Sequence, residues 1–304
     1  MGSIGERHVR CFLATGRCEV VICEPIEARR LEVAARYAVE SFATLEAAVE
    51  AVRVDAAVVA SPAPYHVAAA TWLADRGIHL LIEKPLSLAL EGVEELQRVV
   101  MERRVKAAVG FVYRALPALR QMQAAVAAGR FGRVVEIQIQ SGQHFPFYRP
   151  AYRQIYYANP AMGGGLLQDM MPHPLNVAEW MVGPTTRVLA DAVHAVLPGV
   201  TVEDTAHLLT RHGEVRGSLA LNQHQPVNEF VVTVLGDRGA ARWELMGQRW
   251  LSAETNGGAW VEEAAFVHER DDYYILQAQG FLDFLEGKAP ALCSLEAGVG
   301  TLKS

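Results

Sequence analysis

Between residues 54 and 110 the chain alternates compact apolar runs with helical patterns, and this alternation constrains the fold more than anything else in it. Residues 54–60 read Val-Asp-Ala-Ala-Val-Val-Ala and stop at Ser61-Pro62. Residues 79–82, His-Leu-Leu-Ile, stop at Glu83-Lys84-Pro85, and residues 106–110 end on Gly110. Helical patterns over 65–76, closed by Gly77, and over 88–102 fill the intervals. Upstream, residues 19–23 form another β-branched run, Glu-Val-Val-Ile-Cys, ahead of helical patterns over 26–37 and 44–51. Short apolar strands alternating with helices specify a parallel, doubly wound α/β sheet, buried on both faces. Ligands bind such sheets outside the carboxyl ends of the strands, where Ser61, Pro62, Glu83 and Lys84 all fall.

The opening residues fit a phosphate-binding turn. Gly2 and Gly5, with Ser3 and Ile4 between them, have the spacing of the second and third glycines of G-x-G-x-x-G. Met1 stands at the position between the first two, and the first glycine and first strand of that fingerprint are absent. Glu24, which ends the run at 19–23, lies about 20 residues beyond the glycines, where an acid accepts hydrogen bonds from the adenosine ribose. A carboxylate there repels a 2′-phosphate, so the expected cofactor is NAD rather than NADP. The expected dinucleotide-binding domain therefore lacks its first strand: either Met1 is an internal methionine taken for the start, or the chain is a fragment with impaired NAD binding.

After about residue 130 the period changes. Residues 134–140, Val-Val-Glu-Ile-Gln-Ile-Gln, alternate as a half-exposed strand does. Further strand patterns lie near 187–197, 205–211, 215–223, 229–235 and 240–245, with Gly236-Asp237-Arg238-Gly239 as a turn. A helix follows over 272–286. This predicts a second, α+β domain with a largely antiparallel sheet, and a division into residues 1–110 and 111–304. Residues 144–157 are dense in His144, Phe145, Phe147, Tyr148, Arg149, Tyr152, Arg153, Tyr156 and Tyr157. They read equally as a sugar-binding lid, with aromatic faces on sugar rings, and as a packed loop or subunit contact.

Composition removes several function classes. The 304 residues are 51% hydrophobic and 20% charged, enough for two cored domains. The balance of 28 Lys and Arg against 34 Asp and Glu contains no basic block, so no nucleic-acid groove is expected. No run approaches the ~20 apolar residues of a membrane span. Cys11, Cys18, Cys23 and Cys293 lack metal-type spacing, and the ten histidines form no HxH or HExxH, so no metal site is expected. The thiols read as reduced, in a cytoplasmic protein.

Taken in order, Gly2-Ser3-Ile4-Gly5, Ser61-Pro62 with His66, Glu83-Lys84-Pro85, Gly110-Phe111 with Arg114, and Gly163-Gly164-Gly165-Leu166-Leu167-Gln168-Asp169 with His173 form a set. The set resembles the Gfo/Idh/MocA family of NAD(P)-dependent oxidoreductases. The resemblance implies a Rossmann domain followed by an open-faced sheet domain, assembled as a homodimer or homotetramer. It assigns Lys84, Asp169 and His173 to catalysis, and implies that His66 lies near the nicotinamide half of the cofactor. Arg114, Tyr152, Arg153 and Asn176 are the substrate-binding candidates. Three positions depart from the family pattern: Met171 stands for a glycine, Asn176 for a frequent aspartate, and Val112 for a common asparagine. Residues 292–302 resemble the start of the family's closing helix without its remainder, so the chain is expected to be shortened at both ends.

Oxidising a carbinol requires a hydride acceptor and a group to take the hydroxyl proton. Histidine suits the second task near neutrality. A lysine ammonium stabilises the developing alkoxide or relays the proton, and Asp169 can orient the histidine. Whether His173 or Lys84 is the base stays open at this level. The leading expectation is an NAD-dependent dehydrogenase of a sugar, cyclitol or related polyol. An NAD-dependent glycoside hydrolase using transient oxidation is a second reading, and a degenerate, non-catalytic cofactor-binding protein a third.

Overall fold

The computed structural model describes residues 2–254 and 256–304; Met1 and its expected place in the fingerprint lie outside the described residues. The chain starts with helix α1 (Ser3–Ala14), strand β1 (Ile22–Cys23), α2 (Glu27–Tyr37), β2 (Ser41–Phe42) and α3 (Leu45–Ala51). Then come β3 (Ala56–Val59), α4 (His66–Asp75), β4 (His79–Ile82), α5 (Val93–Glu102) and β5 (Ala107–Val109). The next elements are α6 (Pro117–Ala127), β6 (Val134–His144), α7 (Phe145–Tyr148), α8 (Leu166–Asp169) and α9 (Pro172–Val182). Seven strands follow: β7 (Arg187–Val193), β8 (Thr205–His212), β9 (Val215–Asn222), β10 (His224–Gly236), β11 (Ala240–Glu244), β12 (Arg249–Ala253) and β13 (Val261–Ala265). Helices α10 (Arg270–Leu285) and α11 (Leu295–Lys303) end the chain.

Two compact units emerge, and their boundary departs from the expected division. Residues 1–115 are joined by 269–295 in the first unit; residues 116–268 and 296–304 make the second. The cause is packing: Phe12, Leu81 and Ala108 share one apolar cluster with Ala278, Phe281 and Leu282 of α10. Glu269 and Asp272 start that helix with a reciprocal capping box.

In the first unit every strand pairing is parallel, as the alternation predicts, but the strands form two ribbons. β1 pairs with β2, while β3, β4 and β5 pair in that order, and the ribbons share no ladder among the described residues. β4 is central in its ribbon, and Leu80, Leu81 and Ile82 are almost fully buried there. α5 begins later than its apolar pattern suggested, because Gly92, with φ of 74°, turns the chain just before Val93.

The second unit is built on an eight-stranded sheet in the order β13-β12-β11-β10-β6-β9-β8-β7. All its pairings are antiparallel except β6 with β9. One face is apolar, carrying Ile137, Ile139, Leu208, Leu219, Val232 and Val234; on the other, Gln138, Gln140, His207 and Leu209 are exposed. The tetrapeptide Gly236-Asp237-Arg238-Gly239 turns as expected, with the Gly236 N–H donating to the Gly239 carbonyl at 2.8 Å. β7 stops at Val193 rather than continuing to 197, because the Asp204 carboxylate takes the N–H groups of Ala195, Val196 and Leu197 out of the ladder.

Candidate functional site

In the first unit the predicted residues gather where the strands end. Gly2 caps α1 in an extended conformation without a side-chain cap, so Ser3, Ile4 and Gly5 form a first turn whose N–H groups lack a capping side chain. Nothing lies within 4 Å of the place a Gly2 side chain would occupy. Glu24 directly follows β1; its N–H donates to the Phe42 carbonyl at 3.0 Å, and its Oε1 accepts the Ile26 N–H at 2.9 Å. Ser61 and Pro62 follow β3, and Glu83 and the half-buried Lys84 follow β4, with a cis bond between Lys84 and Pro85. His66 starts α4 but faces inward, 2% exposed. Its Nδ1 lies 2.9 Å from the Pro85 carbonyl and its Nε2 2.7 Å from the Ser61 carbonyl. Both nitrogens serve the two loops, and neither is left to face a ligand. Arg114 is also buried, with its guanidinium 3.4 Å from the Leu292 carbonyl.

In the second unit the triple-glycine motif has a steric origin. Gly163 and Gly165 hold φ of 87° and 93°, which favours glycine. At Gly164 the reason is a close approach: a Cβ there would sit 2.3 Å from the Tyr157 carbonyl oxygen and 2.6 Å from that of Tyr156. This contact lays the Tyr156–Tyr157 backbone against the motif. The Tyr156 hydroxyl then donates to Oδ1 of Asp169 at 3.0 Å. Asp169, 9% exposed, ends α8, whose first turn is capped by Oε1 of Glu203 accepting the Leu167 N–H at 2.8 Å. Burial, followed by the charges of Asp169 and Asp204, pushes the Tyr157 phenol far up, so it stays protonated.

His173 is the second residue of α9 and half-buried. Pro172 has no N–H to donate, so the helical ladder is interrupted there. Asp169 and His173 thus sit on two successive helices rather than on one face of a single helix. The substrate-binding candidates of this unit have hydrogen-bond partners within the unit. The Tyr152 hydroxyl, on a side chain 2% exposed, donates to the Pro198 carbonyl at 2.7 Å, and Nε of Arg153 donates to the same oxygen at 2.7 Å. Asn176, 1% exposed, donates to Oγ1 of Thr301 at 2.9 Å. Tyr152 and Asn176 fasten a loop and a helix from within, and the exposed Arg153 does so from the surface. Phe145, Tyr152 and Tyr157 form a core cluster with Leu197 and Val202, so this part of the aromatic segment is packing. Phe147, Tyr148 and Tyr156 remain exposed.

Two residues given no individual role by the sequence stand out, Tyr156 having figured only within the aromatic segment. Tyr156 reaches Asp169 across thirteen positions, a distance at which no local spacing rule operates. His8 sits on the apolar face of α1, and its Nε2 lies 2.7 Å from Oε1 of Glu83; its position three residues after Gly5 was the available signal. Among the described residues no cluster of histidine, cysteine or carboxylate side chains could hold a metal, and no helix is long and apolar enough to cross a membrane.

Residues 1–111 match the oxidoreductase family with an NAD-binding Rossmann fold, and residues 119–242 match the GFO/IDH/MocA C-terminal domain. The rhizopine catabolism protein MocA of Rhizobium meliloti is 28% identical over 183 residues, which are 60% of this chain and 55% of that protein. The inositol 2-dehydrogenase of Rhizobium meliloti strain 1021 is 27% identical over 204 residues, 67% of this chain and 59% of the enzyme. The chain therefore spans little more than half the length of these curated relatives. In fold it is similar to the WlbA dehydrogenase of Bordetella pertussis, solved with NADH and UDP-GlcNAcA. The TM-score is 0.85 at 22% identity, over 99% of this chain and 90% of that one. Two successive family matches, in the order and on the units that the motifs indicated, place this chain in the Gfo/Idh/MocA oxidoreductase family.

Proposed function

We propose that the chain is an NAD-dependent dehydrogenase that moves a hydride between the nicotinamide and a carbinol carbon of a sugar, cyclitol or related polyol. The observation that carries this reading is the position of Lys84, half-buried in the turn at the carboxyl end of a central parallel strand. The residues present fit the cofactor. The uncapped first turn of α1, with open space over Gly2, suits a pyrophosphate. Glu24, at the end of β1, suits a ribose diol. Relatives named as an inositol 2-dehydrogenase and a UDP-N-acetylglucosamine 3-dehydrogenase support the substrate class.

Bound NAD supplies the hydride acceptor. Lys84 presents an ammonium to the substrate hydroxyl and stabilises negative charge as it develops on oxygen. His173 takes the hydroxyl proton. Asp169, its carboxylate fixed by the Tyr156 hydroxyl, orients the base and stabilises its charged form. The assembly we propose is a homodimer or homotetramer formed through the exposed face of the large sheet. Leu189 and Leu209 are direct cross-strand partners there, 67% and 60% exposed.

The test is accumulation of reduced nicotinamide with a panel of inositols and sugars. Lys84→Ala and His173→Ala are each expected to lower kcat by ~10²–10⁴-fold. A wild-type chain that binds NAD yet reduces none with any polyol refutes the reading. So does unchanged turnover in both variants.

A further inference from the structure

The turn that carries Lys84 is gripped on each side by a buried histidine. Before it, His8 is 3% exposed and Glu83 5% exposed, with Nε2 of His8 2.7 Å from Oε1 of Glu83. The other carboxylate oxygen, Oε2, accepts the Lys84 backbone N–H at 3.1 Å. Nδ1 of His8 meets no hydrogen-bonding partner among the described residues, so the ring donates through Nε2. Gly110 closes the opposite side: a Cβ there would lie 3.0 Å from Oε1 of Glu83 and 3.4 Å from its Cα. After the turn, His66 spans the carbonyls of Pro85 and Ser61, at 2.9 and 2.7 Å, and ties the loop following β3 to the turn following β4. A neutral ring donates to one of these oxygens and a doubly protonated ring to both.

The two rings thus hold the residues immediately before and after Lys84 from two different helices, α1 and α4. Lysine ends in a compact charge on a flexible four-carbon stem, so the aim of its ammonium depends on how firmly its backbone is held. A misplacement of about 1 Å at a reacting group can cost ~10²-fold in rate. We propose that His8 and His66 are positioning residues, a paired clamp that fixes the backbone of Lys84 for the proposed reaction. This rests on the reading of Lys84 given above. The His8 arm acts through a carboxylate that joins an imidazole to the Lys84 N–H. The His66 arm acts through main-chain carbonyls and keeps two ligand-facing loops in register. His66 therefore serves the site through the main chain of both loops.

The clamp is tested with two readouts on the full chain. The first is labelling of Lys84 by acetic anhydride without cofactor, scored by mass spectrometry against Lys303 in the same molecule. The second is kcat and KM for polyol oxidation. His8→Leu and His66→Leu are each expected to change the Lys84-to-Lys303 labelling ratio by at least ~3-fold. They are also expected to lower kcat by ~10–100-fold while KM for NAD moves far less. His8→Gln, which keeps a donor near the Nε2 position, is expected to restore both readouts most of the way. Folded leucine variants with unchanged labelling ratio and kcat overturn the proposal, as does a His8→Gln variant no better than His8→Leu. If a leucine variant does not fold, Glu83→Met carries the test of the His8 arm: it keeps the side-chain length but removes both acceptors, the one facing His8 and the one facing the Lys84 N–H. An unchanged labelling ratio in that variant also overturns the clamp. A wild-type chain with no polyol oxidation refutes the proposed reaction, and the labelling ratio alone then decides the clamp.

Discussion

Gly164→Ala isolates the contact on which the triple-glycine motif of the second unit is built. The added Cβ would meet the Tyr157 carbonyl oxygen at 2.3 Å and its carbon at 2.7 Å, and both are main-chain atoms that cannot rotate away. Side-chain carbons do not approach closer than about 3.0 Å, so the two backbones must part by at least ~0.7 Å. Both are held where they are: the Gly164 N–H donates to the Asn159 carbonyl at 3.0 Å, and the Gly165 N–H to the Tyr157 carbonyl at 3.1 Å. Overpacking costs ~1–3 kcal/mol, and losing the second of these bonds adds about 1 kcal/mol. Reduced freedom of the unfolded chain returns ~0.4–1 kcal/mol. The net loss is ~1–4 kcal/mol, or about 2–14 °C in Tm for a unit of this size. Because the displaced backbone carries Tyr156, polyol oxidation should fall as well. Tyr156→Phe provides the comparison, since it removes the hydroxyl on Asp169 without crowding the motif. It should lower kcat while leaving the melting temperature close to wild type. Calorimetry on both variants with parallel rate measurements gives the answer. A Gly164→Ala protein that melts with the wild type and turns over at the same rate refutes the steric argument.

Two further outcomes follow from buried groups of the second unit. Asp204 is fully buried and accepts the N–H groups of Ala195, Val196 and Leu197 at 3.0, 2.8 and 2.7 Å. Burial alone would raise its pKa, but these donors outweigh it and hold the carboxyl below its ordinary value. Asp204→Ala strands the three donors and should cost ~3–5 kcal/mol, read as a lower urea midpoint; a loss below about 1 kcal/mol would contradict it. His212 donates from Nδ1 to the Gly183 carbonyl at 2.9 Å and accepts the Thr210 hydroxyl at Nε2. Burial holds its pKa below the ordinary 6.5 despite that carbonyl. Below 6.5 the unfolded chain binds a proton that the folded ring refuses, so this contribution to stability is complete above 6.5 and is lost as the pH falls toward the depressed folded value. His212→Gln should flatten the decline of the urea midpoint between pH 7 and 5, and an unchanged slope would remove His212 as its source.

What could be read from the chain beforehand was local. The apolar runs that became β3, β4 and β5, the helices between them and the turn at 236–239 all declare themselves within a few residues. The motif residues Ser61, Glu83 and Lys84 gained their place at the strand ends from that pattern alone. Helix α6 and strands β12 and β13 did not announce themselves, since Arg249 and Glu262 interrupt any clean alternation and pair only across strands. The roles of Tyr152 and Asn176 were set by partners 46 and 125 positions away, which no spacing reveals. Its place in an aromatic segment marked Tyr152 and its position three after His173 marked Asn176, and the structure buries both side chains. The strand-like end of the pattern at 187–197 was lost to a single aspartate seven to nine residues downstream.

The apolar cluster shared by α1, β4 and α10 also sets an order of events during synthesis. Residues 1–115 leave the ribosome with Phe12, Leu81 and Ala108 still lacking the Phe281 and Leu282 side chains that cover them. Meanwhile β6 waits about 80 residues for β9, its parallel neighbour. The nascent chain must therefore carry one unfinished apolar surface through the making of an entire second unit, the interval in which such surfaces invite aggregation. Expression should accordingly respond to chaperone supply and growth temperature more than the stability of the finished protein would suggest.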